Sequence, residues 1–351
     1  MQASDRILAH FQAQANACVR LGSPFTAAVL AALAERLAAG DPALDPVARF
    51  PGDPKSGALA LRVAGALHRI ARDGGDCRLT RLYRRTGAFR ARHSAELLSS
   101  ALAANRDLLE HYLEQPPQTN EVARSAMLLG GFLTIAEAAG LPLAVLEIGA
   151  SAGLNLLFDR YRYDLGSWNW GTEGAIPAIA AAWEGPRPPE AQLVVAERHG
   201  CDRNPLDVRD EETRRRLRSY VWADDRDRLA RLDQAIATAL EDPPVVERAD
   251  AADWLERRLA ESRLSRATVI VHSIVWQYLP GDDQARITET VARRGGAARP
   301  EAPLAWLRLE PEPGADGPAL RLTFWPGGEE RLLGLGDYHG RRMVWLDQRR
   351  S

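Results

Sequence analysis

Apolar residues recur every three to four positions over residues 7–21, 25–37, 59–70, 97–113 and 122–139, the spacing of helices that turn one face to a core. Pro24, Gly40-Asp41-Pro42, the turn-rich stretch 50–57, Gly74-Gly75 and Pro116-Pro117 break the pattern between them. No strand pattern stands out before residue 140, so residues 1–140 are expected to form an all-α N-terminal domain. After Leu141 the texture changes. The run Leu-Pro-Leu-Ala-Val-Leu-Glu-Ile-Gly (141–149) follows a Gly-Leu-Pro break and reads as a buried parallel strand. Further strands are expected at 192–196, 245–248, 267–276 and 304–309, with helices at 205–220, 226–240, 251–262 and 282–294. Strand alternating with helix predicts an α/β fold with a Rossmann-like, mostly parallel sheet over residues 141–351. Residues 319–325 and 342–346 read as strands with no long helix between them, so the C-terminal edge is expected to be antiparallel.

Composition narrows the function classes. The 351 residues are 46% hydrophobic and 26% charged, which suits a globular chain and excludes a disordered one. A net charge of −2 argues against a nucleic-acid or membrane-surface binder and leaves a small molecule as the expected partner. Lys55 is the only lysine among 45 basic residues, a bias that with the abundance of Ala points to GC-rich coding rather than to function. Cys18, Cys77 and Cys201 are too far apart for a CxxC site and odd in number. The N-terminus lacks a signal-peptide core, and Glu137 and Pro142 interrupt the most apolar stretch before it reaches the ~20 residues of a membrane span. A cytoplasmic, soluble protein is the expectation.

The strongest chemical signal is Glu147-Ile-Gly149-Ala-Ser151-Ala-Gly153-Leu-Asn155. A strand runs into a turn of small residues with a helix expected after it. That arrangement lets backbone approach an adenosine-bearing ligand while a helix N-terminus offers free N–H groups. Its plainer use is to pack strand against helix. The segment resembles motif I of the class I S-adenosylmethionine-dependent methyltransferases, with Glu147, Gly149 and Gly153 matching and Ser151 in place of the middle glycine. The resemblance implies cofactor contacts at Glu147, Gly149, Ser151, Gly153 and Asn155. It places Asp202, in Arg-His-Gly-Cys-Asp-Arg-Asn-Pro, at the end of a second strand as the ribose-binding acid, with Glu197 in reserve. It likewise makes Asp250 the acid facing the adenine amino group, while Asp253 fits the first turn of a helix. Asp202 follows Gly153 by 49 residues rather than the ~20 of a Rossmann fingerprint. An insertion near 160–190, carrying Trp168, Trp170 and Trp183, is therefore expected as a hairpin or lid.

In open α/β sheets the ligand crevice lies beyond the carboxyl ends of the strands. Residues 268–280 end there, so Ser273 and Gln277 are candidate substrate contacts and His272 and Tyr278 candidate catalytic groups. A structural role for His272 is the plainer reading. Asn120, Glu121 and Arg124 share a helix face leading into the glycine turn; Asn120 and Arg124 are candidate substrate ligands and Glu121 a candidate base. Nine arginines against Asp73 and Asp76 over residues 62–92 make either a solvated helix face or a dock for an anionic acceptor. No metal motif such as HExxH is present. More narrowly, the segments 149–166, 198–207, 272–280 and 115–125 are similar to a bacterial family called domain of unknown function 2332. Gly149–Gly153 also satisfies G-x-S-x-G, which leaves a serine hydrolase as an alternative, with Ser151 as nucleophile, Asp250 as acid and His272 or His339 as base. A non-catalytic nucleotide-binding or scaffold protein on the same fold is the other alternative.

Overall fold

The computed structural model describes residues 3–88, 91–261, 263–314 and 317–347. The chain forms two compact units, Met1–Thr119 with Asp210–Ala230, and Asn120–Arg209 with Arg231–Ser351.

The first unit is helical, as its periodicity predicts. It contains α1 (Ala3–Arg20), α2 (Pro24–Ala38), α3 (Asp45–Ala48), α4 (Leu59–Asp73), α5 (Cys77–Arg84), α6 (Ala91–Ala104) and α7 (Arg106–Glu114). Their apolar stripes close on one core that includes Phe11, Leu30, Leu33, Leu67 and Tyr112. The expected helix over 97–113 is split at Asn105, whose Nδ2 donates back to the Ala101 carbonyl at 2.9 Å. Residues 210–230 join this unit because their side chains complete it. Tyr112 Oη lies 2.8 Å from Ser219 Oγ, and Arg69 grips the Glu212 carboxylate with both terminal nitrogens. The ring of Tyr220 packs on Gly65, where a Cβ would come within 2.6 Å.

The second unit starts earlier than residue 141. Its first helix, α8 (Arg124–Ala139), is buried without a break from Ser125 to Ala136, and a helix apolar all round belongs inside. Gly140, at φ +59, ends it. Then follow β1 (Leu143–Ile148), β2 (Arg162–Asp164), β3 (Asn169–Trp170), β4 (Ala178–Ala180), β5 (Ala182–Glu184) and β6 (Val195–Asp202). After α9 (Glu211–Ser219) and α10 (Arg226–Glu241) come β7 (Val245–Arg248), α11 (Ala251–Ala260), β8 (Ala267–Ser273), α12 (Gly281–Gly296), β9 (Leu304–Pro311), β10 (Pro318–Trp325), β11 (Glu329–Gly336) and β12 (Arg342–Trp345). Among the described residues nine strands form one sheet in the order β5-β12-β11-β10-β9-β8-β1-β6-β7. The run from β7 to β9 is parallel, β9, β10, β11 and β12 pair antiparallel in succession, and β5 runs parallel to β12 at the outer edge. The α/β class and the antiparallel C-terminal edge are as expected. β1 and β8 sit in the middle of the parallel run, buried on both faces, which is why they read as unbroken apolar runs.

Two expectations change around the insertion. The segment after Gly153 is a 3-10 helix, Leu154–Arg160, and not an α-helix. Its carbonyls are taken by side chains: Tyr161 Oη donates to Leu154 O, Arg198 Nη1 to Leu156 O and Tyr163 Oη to Phe158 O. Residues 160–190 form a small sheet, β3-β2-β4, and then β5 pairs with β12 at the edge of the main sheet. Trp183 stacks on Trp345 at 5.3 Å and meets Trp168 edge-on at 5.0 Å, so the insertion is clamped to the sheet edge and is no free lid. Gly130 on α8 leaves room for this cluster, since a Cβ would lie 2.5 Å from Trp345. Gly130→Ala is expected to destabilise by about 1–2 kcal/mol on urea unfolding, because overpacking two indoles outweighs the ~1 kcal/mol of better helix propensity.

Candidate functional site

Strand order reverses between β1 and β8: β6 and β7 continue on one side, β9 on the other. That point is where an open parallel sheet offers a crevice at its carboxyl ends. A cleft of about 120 Å³ lies there, walled by Gly149 after β1, Cys201 and Asp202 on β6, Ala249 after β7, and Val275 and Tyr278 after β8. Backbone strain concentrates at the same end. Ser151 (φ +55) follows β1, Ile274 (φ +53) follows β8, and Asn120 (φ +36) holds the glycine turn from beneath. A β-branched residue such as Ile274 is costly in this region and persists only where its surroundings fix it. Here its N–H donates to Leu309 O at 2.9 Å and the next, that of Val275, to Glu310 Oε1 at 3.1 Å.

The turn is built from within. Asp202 Oδ2 accepts the Ser151 N–H at 2.9 Å and its Oδ1 the Asn204 N–H at 2.8 Å. Asn120 Oδ1 accepts the N–H groups of Ala152 and Leu154. Gly149 and Gly153 have φ of +68 and +73, and added Cβ atoms would strike Val275 at 2.4 Å and Pro244 at 2.7 Å. Packing therefore demands both glycines whether or not a ligand approaches. Asp250 caps α11 through Ala252 N and Asp253 N and pairs with Arg203 at 3.0 Å. Burial works against its ionisation, but Arg203 and the cap hold the carboxyl below its ordinary range. Its neighbours Ala249 and Ala251, not its side chain, wall the cleft. Burial pushes the Cys201 thiol up to about 12, which disfavours the thiolate.

The remaining candidates divide between the two faces of the sheet. Leu146, Ile148 and Ile270 pack with α11 and α12, so alternation puts Glu147 on the opposite face and His272 on the α11–α12 face. Glu147 is buried beneath the turn with Oε2 unpaired. Burial, reinforced by Asp202 and opposed by Arg124, raises its carboxyl to about 8. Near it Asn155 Nδ2 donates to Glu121 O at 3.4 Å. The buried Glu121 carboxylate accepts Ala123 N and lies 3.9 Å from both Arg231 and His339. Arg124 donates to Tyr338 O and, at 3.5 Å, to Ser273 O. His272 is fully buried, with Nδ1 2.6 Å from Glu310 Oε1. Tyr278 is 66% exposed at the cleft rim, beside exposed Gln277. The structure thus gathers Asn120, Glu121, Arg124, Glu147 and Asn155 on one side and sets His272 and Tyr278 apart from Glu121. Those three do not form one catalytic centre.

The hydrolase constellation is not assembled either. Ser151 Oγ is buried without a hydrogen-bond partner, Asp250 serves α11 and Arg203, and His272 pairs with Glu310. Sequence reasoning missed Glu310, which lies in a strand 38 residues beyond His272 with no motif to mark it. The arginine excess of residues 62–92 is partly internal: Arg62 binds the carbonyls of Gly57 and Leu113, and Arg69 binds Asp73 and Glu212. Arg90 lies outside the described residues. Among the described residues no group of His, Cys, Asp and Glu could hold a metal ion, and no helix is long and apolar enough to cross a membrane.

Sheet order, crevice and turn define an α/β protein with a Rossmann-like sheet. The chain belongs to the family described as uncharacterized protein conserved in bacteria (DUF2332), whose model matches residues 9–345. No curated protein and no solved structure matches it.

Proposed function

We propose that the protein is an S-adenosylmethionine-dependent methyltransferase acting on a small-molecule acceptor at the β1–β8 crevice. The observation that carries this reading is the cleft at the order reversal, with a left-handed Gly149–Gly153 turn on its central strand and Asp202 on the next. Gly149 and the Asp202 carboxylate, both in the cleft wall, would hold the cofactor. The bound cofactor supplies an already activated methyl group. The chain's own task is then positioning, worth up to ~7–11 kcal/mol of a barrier. Gln277 and Tyr278 on the rim would face the acceptor. At about 120 Å³ the cleft is below the ~300–1,000 Å³ of most ligand pockets, so Tyr278 and Leu279 must yield for a whole nucleoside.

S-adenosylhomocysteine at a hundredfold excess over Kd should stabilise the fold by ~2.7 kcal/mol, read as a rise in Tm. No shift at millimolar concentration would remove the proposal. One observation favours a second reading, a binding or scaffold protein on the same fold. The groups that resemble cofactor ligands, Asp202 and Asp250, are also bonded to the chain itself. Binding without turnover would select it.

A further inference from the structure

A second groove, about 360 Å³, opens on the α11–α12 face over β8, β9, β10 and β11. His272, Trp276, Arg308, Glu310, Arg321 and Glu330 are among its walls. Register explains the grouping: His272 pairs with Arg308 across β8–β9, and Arg308 with Arg321 across β9–β10, so all project from one face. The charges are largely spent on one another. Arg308 binds Glu330, and Arg321 binds Glu312 at 2.6 Å and Glu330 at 3.0 Å. Three carboxylates against two guanidiniums leave no positive excess for an anion.

What remains unsatisfied is of both kinds. His272 Nε2 and Glu310 Oε2 are buried with no partner, and so is the donor Arg308 Nε. In the tautomer that carries its proton on Nδ1, donating to Glu310, Nε2 is an acceptor. Buried polar atoms without partners are costly, and three of them on residues that wall one groove call for a ligand that both donates and accepts. Trp276 adds an indole, stacked on His272 at 5.1 Å and partly exposed. We infer that this groove is a binding site for a neutral polyhydroxylated small molecule, of the sugar or polyol class, held by His272, Glu310 and Arg308 against Trp276. An amine would satisfy the two acceptors and leave Arg308 Nε unmet. An anion would have to break the arginine ion pairs.

The test uses the full-length protein labelled with 5-fluorotryptophan, the Trp276 resonance being assigned by its loss in Trp276→Phe. D-glucose, D-ribose and myo-inositol are titrated to tens of millimolar, with ethanolamine and inorganic phosphate as the competing chemistries. At least one hydroxylated probe should move the Trp276 signal saturably and leave that of buried Trp254 in place. Glu310→Gln should weaken that probe roughly tenfold, the order expected for one hydrogen bond to a charged group. If that variant fails to fold, Arg308→Gln serves, with the same loss expected. No movement with all three, movement with ethanolamine or phosphate alone, or unchanged affinity in the folded variant would overturn the assignment. S-adenosylhomocysteine binding is not required for any of these outcomes.

Discussion

Glu147→Gln is expected to stabilise the protein, and by more as the pH rises. The Glu147 carboxyl is buried in the central strand with one oxygen unpaired. Burial, with Asp202 adding to it and Arg124 opposing, lifts it from 4.5 to about 8. A folded-state value above the unfolded one means that the native chain binds more protons between those limits. Stability contributed by the neutral carboxyl is therefore intact below the unfolded value and is lost as pH rises towards the folded one. Each unit costs ~1.4 kcal/mol, so the glutamine variant should gain ~3 kcal/mol near pH 7 and ~4 near pH 8 over wild type. Urea unfolding of both proteins across that window checks it, because other titrating groups cancel in the difference. A pH-independent difference would mean that Glu147 is not the titrating group.

What could be read from the chain follows from burial. β1, β7 and β8 appear within a few residues of their predicted places, because β1 and β8 are apolar on both faces and β7 is bracketed by turns. By apolar pattern β6 was legible only at 192–196, while the resemblance put its end at Asp202, where it does end. Its middle, Glu-Arg-His-Gly, carries no apolar alternation, yet Glu197 pairs with Arg263, Arg198 with Asp159, and His199 with Arg258. A strand whose polar residues are matched by distant partners hides from any local pattern. β11 was missed although Gly327-Gly328, both at positive φ, is a strong hairpin signal before it. The domain boundary at 140 failed for a related reason: α8 has helical periodicity like its predecessors, and only its contacts assign it to the sheet unit. The candidate site was legible as a neighbourhood and not as a geometry. Which face each side chain takes depends on strand register, and the His272–Glu310 pair depends on the β8–β9 alignment.

Asp202→Ala should cost both stability and ligand binding, and the two losses can be separated. The carboxylate ties Ser151 N and Asn204 N into the turn at 2.9 and 2.8 Å. Hydrogen bonds to a charged group contribute ~1.5–3 kcal/mol each, and Ser151 at φ +55 loses the contact that fixes its strained backbone. A loss of about 2–4 kcal/mol in the unliganded protein is expected. Asp202→Asn, which keeps one acceptor oxygen and turns an NH₂ towards the other N–H, should fall between the two. Tyr278→Ala is the companion variant, since a side chain 66% exposed can be removed with little effect on folding. Under the methyltransferase reading Asp202→Ala weakens S-adenosylhomocysteine and lowers the unliganded Tm, whereas Tyr278→Ala, which clears the rim the nucleoside must pass, does neither. If instead Asp202→Ala lowers the Tm while the affinity of the folded fraction stays unchanged, the acid belongs to the turn alone. The carboxylate would then only brace Ser151, with no part in holding a nucleoside.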